Sequence, residues 1–281
     1  MIVDTHVHVN PADTARGPSI TPQEQGGRWQ AGHVTAEELL AFMKEGGVDR
    51  AVLVHASNIA RYDASYPAQM AARHPDRFSS VCVVNVSQPD APERLSYWVQ
   101  ERGMGGVRLF NAMTPEDTWV DDPRCIRVLE RAEKLKTVVT MVSRHQDLAH
   151  VRRVLERFPG VSFALDHLGF MPNVERPPFT PSAESMALAQ CPNLTLKFSA
   201  VNQWAISKGP VPAREYFKAI VDRFGPKRLM WGSNYPPTRF KPYPELARMG
   251  PEPFDFLSAE ERRWVFGENA LRLWPAPKGS R

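Results

Sequence analysis

The stretch IVDTHVHV, residues 2–9, decides how the rest of the chain reads. It is a short β-rich run at the start of the chain, and it places His6 and His8 two residues apart. In a strand, period-two geometry points both imidazoles to the same side. Asp4 has the same parity, so it is expected on that side too, deeper along the strand, where it could orient an imidazole. Two imidazoles at a strand end can ligate one metal ion or grip one substrate group. A bare His-x-His is common, so its weight depends on the pattern it opens.

That pattern is one unit repeated along the chain. Apolar strand candidates recur as RAVLVHAS from residue 50, FSSVCVVNV from 78, GGVRLFN from 105 and TVVTMVS from 137. VSFALDHLG from 161, NLTLKFSA from 193 and RLMWGSN from 228 bring the total to eight. Several are nearly continuous apolar runs, as strands buried on both faces should be. Helical stretches lie between them. TAEELLAFM opens with Thr35 and Glu38 in capping-box spacing, and SAEERRWVF does so with Ser258 and Glu261. DLAHVRRVLERF carries Leu148, Val151 and Leu155 at helical spacing. Eight strand-helix units predict an α/β fold of the (β/α)8 TIM-barrel type, as a single domain over residues 1–281. A doubly wound open sheet is the alternative.

Loop lengths point to the working face. Helix-to-strand links such as EGGVDR, RHPDR, RFPG and QCPN are short. Strand-to-helix links are long: residues 10 to 34, NIARYDASYP, NAMTPEDTWVDDP, FMPNVERPPFTP and the Pro-rich segment from residue 236. All lie beyond the C-terminal ends of strands, where barrel enzymes place their chemistry. Decoration or an oligomer interface is the alternative use for such loops.

Composition narrows the function classes. With 281 residues and 42% hydrophobic content the chain can bury a large core. Net charge is +4, and Lys and Arg are interleaved with Asp and Glu. This argues for a solvated surface and against a nucleic-acid partner. No apolar run approaches the roughly 20 residues of a membrane span, and no signal peptide is apparent. Three cysteines without a CxxC pair suit a reducing compartment, so a cytoplasmic protein is expected. A small-molecule substrate is the expected partner, and a homo-oligomer is allowed.

His167 ends the sixth strand candidate and is expected at the same mouth as His6 and His8. Together DTHVH, LDHLG, MWGSNYP and the late ENALRLW resemble the amidohydrolase superfamily. More narrowly they resemble its amidohydrolase-2 branch, which includes lactonases of pyrones and sugars and related decarboxylases. The likeness runs through the whole chain in order. It implies a distorted (β/α)8 barrel with the active site at its C-terminal mouth.

Two departures from that pattern matter. Metal-dependent relatives often carry a strand-five His, where alignment here places Met141, with His145 a few residues later. The strand-eight Asp of the family, a metal ligand or the base that activates water, matches Asn234. An amide is no base near neutral pH and is a weaker ligand than a carboxylate. The implied metal set shrinks to His6 and His8, so no tightly bound cofactor is expected. One loosely held divalent ion such as zinc is the alternative.

His6, His8, His167 and Asn234 are therefore the candidate catalytic residues. The candidate substrate-binding residues are Arg108, His55, Ser57, Arg144, Asn202 and Trp204, all at or after strand ends. The resemblance gives Arg108 a substrate carboxylate as partner. A salt bridge to a buried acid is the other reading. The expected activity is hydrolysis of a lactone or similar cyclic ester of a small polar or anionic substrate. A non-oxidative decarboxylase or hydratase-type lyase, and a ligand-binding barrel without catalysis, are the alternatives.

Overall fold

The computed structural model describes residues 1–12, 34–114, 117–170, 183–238 and 240–275. Eight parallel strands form one sheet in sequence order. They are β1 (Val3–Val7), β2 (Arg50–Val54), β3 (Phe78–Val83) and β4 (Gly106–Phe110). β5 (Val138–Val142), β6 (Phe163–Leu165), β7 (Leu194–Ser199) and β8 (Leu229–Gly232) complete it.

The ends of this sheet meet. Asn234 N–H donates to His6 O at 2.8 Å, and His8 N–H donates to Tyr235 O at 2.8 Å. Ser233 N–H donates to Asp4 Oδ1 at 2.8 Å, and Thr5 Oγ1 donates to Trp231 O at 2.6 Å. This closure excludes the open doubly wound sheet and gives the (β/α)8 barrel. Gly232 permits the approach, because a Cβ there would lie 2.7 Å from His6 Cβ and 2.9 Å from His6 N.

Strand register sorts side chains into two layers. Leu109, Met141, Leu165, Leu196 and Leu229 are successive cross-strand partners. They belong to the large core between sheet and helices. One residue out of phase, Arg108, Thr140, Ala164 and Thr195 are partners in the same way. They lie on the inner face. Val3, Val52, Val81, Val138, Ala164 and Met230 pack with Ala270 and Trp274 in a second cluster. Val3, Val138 and Met230 come from the early residues of their strands, so this cluster floors the barrel and leaves its C-terminal end for polar groups.

The expected helix starts are present. Thr35 and Glu38, and Ser258 and Glu261, form reciprocal capping boxes. The helix Leu148–Arg157 buries Leu148, Val151, Val154 and Leu155. Among the described residues, no helix is long and apolar enough to cross a membrane.

Two expectations need correction. Met141 lies on the outer, helix-facing side of β5 and is fully buried there, so it does not face the interior. The inner position beside it is Thr140. Asp4 is also out of phase with His6. The β1–β2 register slips by one residue between Asp4 and Val7, which resets the alternation. Asp4 therefore orients no imidazole. Its carboxylate accepts from the backbone N–H groups of His6 and Ser233 and from Tyr243 Oη–H, tying β1 to β8 and to the helix Tyr243–Met249.

Candidate active site

Above the apolar floor the barrel interior turns ionic. Asp166 comes directly after β6 and has no exposed surface. Its Oδ2 accepts from Arg108 Nε at 2.8 Å, and its Oδ1 lies 3.0 Å from Lys197 Nζ and 3.4 Å from His6 Nδ1. Burial raises the Asp166 pKa, but Lys197, His6 and Arg108 together outweigh that and hold it well below the usual carboxylate range. The group is ionised. Burial lowers the Lys197 pKa and Asp166 works against that; with Lys197 protonated, two buried cations face one buried carboxylate.

Three imidazoles gather around it. The ring centroids of His6 and His8 are 5.0 Å apart, and those of His6 and His167 are 4.6 Å apart. Burial pushes His8 and His167 down to about 3 and holds His6 well below its usual value. All three are neutral near pH 7. His8 Nδ1 is 2.8 Å from Val54 O. A carbonyl only accepts, so Nδ1 carries the proton and Nε2 carries the lone pair.

β6 stops early for a local reason. His167, Leu168 and Gly169 are all left-handed, at φ 54°, 55° and 64°. That conformation costs about 1–2 kcal/mol per non-glycine residue, so the turn needs support. Asn202 Nδ2 supplies some of it by donating to His167 O at 2.7 Å. His167 Nδ1 lies 2.9 Å from Ser199 Oγ.

The other expected site residues fall in two groups. His55 ends β2 with both ring nitrogens buried and unpartnered among the described residues. Burial sets its pKa to about 4, with the nearby charges of Asp63 and Arg108 acting in opposite directions. Ser57 opens the short helix Ser57–Ala60 and is half-buried. Asn234 is left-handed at φ 55°, a conformation Asn tolerates better than most residues, and its Nδ2 donates to Thr238 Oγ1 at 2.9 Å.

Arg144, by contrast, is exposed and donates to Ala112 O and Met113 O, pinning the loop after β4. Trp204 is 48% exposed, with Lys208 Nζ 5.5 Å from its ring centre. Asn202 is bonded to His167 and Ser199. Most of the loop 10 to 34, and residues 171–181 of FMPNVERPPFTP, lie outside the described residues.

Asp166 is not among the residues that strand-end position singles out. Lys197 is nonetheless a usable signal: a lysine inside the apolar run NLTLKFS, 1% exposed, requires a buried acid nearby. For Arg108, the salt bridge to a buried acid is the contact present here.

The sequence pattern of the amidohydrolase family matches residues 3–276. The chain belongs to that family, in its amidohydrolase-2 branch. An L-fucono-1,5-lactonase of Burkholderia ambifaria is 26% identical over 249 residues, covering 85% of this chain and 84% of that one. Two solved structures share the fold. An amidohydrolase from Burkholderia multivorans with bound zinc matches with TM-score 0.77 and 22% identity, over 99% of this chain and 100% of that one. A probable 2-pyrone-4,6-dicarboxylic acid hydrolase from Acinetobacter baumannii, with citric acid bound, matches with TM-score 0.75 and 18% identity, over 97% and 98%. This amidohydrolase is accordingly a hydrolase, with its polar groups at the mouth where barrel enzymes work.

Proposed function

We propose that this amidohydrolase opens a lactone or similar cyclic ester of a small polar or anionic substrate. The observation that carries the reading is the pairing of neutral imidazoles with a buried excess of positive charge. Hydrolysis of an ester needs a proton acceptor for water and a stabiliser for the oxyanion. The neutral imidazoles offer the lone pair that the first task needs, as bases weakened by burial, and the Arg108–Lys197 pair suits the second. The similarity to an L-fucono-1,5-lactonase supports a lactone, and the positive interior supports a polar or anionic one.

The tautomer of His8 refines the roles. Its N–H is committed to Val54 O, so as a neutral ring it cannot also polarise a substrate carbonyl by donation. It can accept a proton through Nε2. His6 is the imidazole with a carboxylate beside it, which favours its protonated form, but burial outweighs that and keeps the ring neutral. Asn234 Nδ2 donates one hydrogen to Thr238, and Oδ1 is the acceptor assigned here to the attacking water. Water then adds to the acyl carbon, an imidazole takes its proton, the ring C–O bond breaks, and the leaving oxygen recovers the proton.

A family-like divalent ion fits these residues poorly. Among the described residues, no three His, Cys, Asp or Glu side chains are grouped to hold one. The carboxylate nearest the imidazoles is already neutralised by Arg108 and Lys197, whose surplus charge would repel a dication. Catalytic zinc sites normally have three good protein ligands.

The test is a panel of sugar and pyrone lactones assayed with and without chelator. At least one should open, with activity kept in chelator and lost in His167→Gln. Failure on every lactone, or a strict requirement for added zinc, would overturn the reading.

A further inference from the structure

We propose that Ser199 and Asn202 are positioning residues that lock His167 in its Nδ1-protonated tautomer. The hydrogen assignments rest on two backbone groups of fixed polarity. Ser199 N–H can only donate, and its nitrogen lies 2.9 Å from Asn202 Oδ1. His167 O can only accept, and it lies 2.7 Å from Asn202 Nδ2. These contacts fix which end of the Asn202 amide is oxygen.

Asn202 Oδ1 also lies 3.1 Å from Ser199 Oγ. A hydrogen bond at that distance is favoured over bare oxygen–oxygen contact, and only the hydroxyl has a hydrogen to give. Ser199 Oγ–H therefore donates to Asn202, and its lone pairs face the other way. His167 Nδ1, 2.9 Å from that hydroxyl, is left as the donor. The ring's lone pair is then on Nε2, at the edge away from Ser199. His8 has the same tautomer by a separate contact, so two imidazoles of the cluster present Nε2 as acceptors.

The same bonds start a helix. Ser199 and Asn202 are the N-cap and third residue of a reciprocal capping box on Ala200–Ile206. All the groups involved are buried. The cap, the left-handed turn at His167 and the imidazole tautomer are thus one hydrogen-bonded unit. An ordinary capping box serves only its helix. This one extends a donor to the backbone carbonyl of the preceding strand's histidine and an acceptor to its ring.

The experiment uses the full chain with 15N-labelled histidine. Wild-type His167 should show a pyrrole-like Nδ1 and a pyridine-like Nε2 by NMR. Ser199→Ala should lose that signature, and Ser199→Thr, which keeps the hydroxyl, should restore it. The kinetic arm rests on the lactonase reading. Partners that orient metal-ligating histidines matter by roughly 10–100-fold; on the same order, Ser199→Ala should lower kcat by roughly 10–100-fold, with KM little changed and rescue by threonine. A pyridine-like Nδ1 in the wild type, or an unchanged spectrum in Ser199→Ala, would overturn the assignment. Absence of lactone hydrolysis in the wild type would remove the lactonase reading and leave the spectroscopic result standing.

Discussion

Replacing Asp166 by Asn tests the ionic interior directly. Asparagine keeps the side chain's size and removes only its charge. Arg108 and Lys197 would then be two buried cations without a carboxylate, where they now contact one at 2.8 and 3.0 Å. Breaking a buried pair by removing one partner costs about 3–5 kcal/mol. Natural domains have about 5–15 kcal/mol in total, so this variant should be severely destabilised. Lys197→Met should cost less, because it leaves Asp166 and Arg108 as a matched pair. Adding Lys197→Met to Asp166→Asn should recover about 1–3 kcal/mol, since it removes one of the two stranded charges. Urea denaturation monitored by tryptophan fluorescence, with an unchanged slope, measures all four forms. If Lys197→Met costs as much as Asp166→Asn, or Asp166→Asn costs under about 1 kcal/mol, the charge-excess argument is wrong.

Three further outcomes are expected. Gly232→Ala should destabilise by about 1–3 kcal/mol and lower turnover, because its Cβ would press on His6; denaturation and kinetics that match wild type would refute the close approach. Burial lowers His8 and His167 to about 3 and His55 to about 4, whereas unfolded imidazoles titrate near 6.5. The unfolded chain takes up protons first, so stability is full above about pH 6.5 and falls as pH drops, by at most about 1.4 kcal/mol per unit for each histidine. Urea midpoints that stay constant from pH 7 to 5 would contradict this. Finally, Asn234→Asp should keep the fold, since Thr238 can turn its hydroxyl to donate, while lowering turnover and increasing bound zinc. Activity and metal content of both forms decide it, and a wild type that needs stoichiometric zinc would show Asn234 to be misread.

Period and punctuation make the barrel legible. Eight apolar runs, two capping boxes and the short returning loops are local signals, and they suffice because strand burial and helix starts depend on near neighbours. His6, His8 and His167 are legible as strand-end residues for the same reason. The phase of a strand is not. A one-residue slip in β1 turns Asp4 away from the imidazoles, and cross-strand register puts Met141 on the outer face. Nothing within either segment announces this, because it is set by pairing with strands far away in sequence. Asp166 is hidden differently, since its significance comes from Arg108, 58 residues before it, and from Lys197 on the next strand. Hydrogen assignments on His8 and His167 also require the fold, which brings Val54 O and Ser199 Oγ to the rings. The sequence alone determined which residue types stand at the strand ends. The tertiary structure decided which face each of them takes, which charges meet, and which nitrogen of His8 holds the proton, because those are properties of contacts between distant strands.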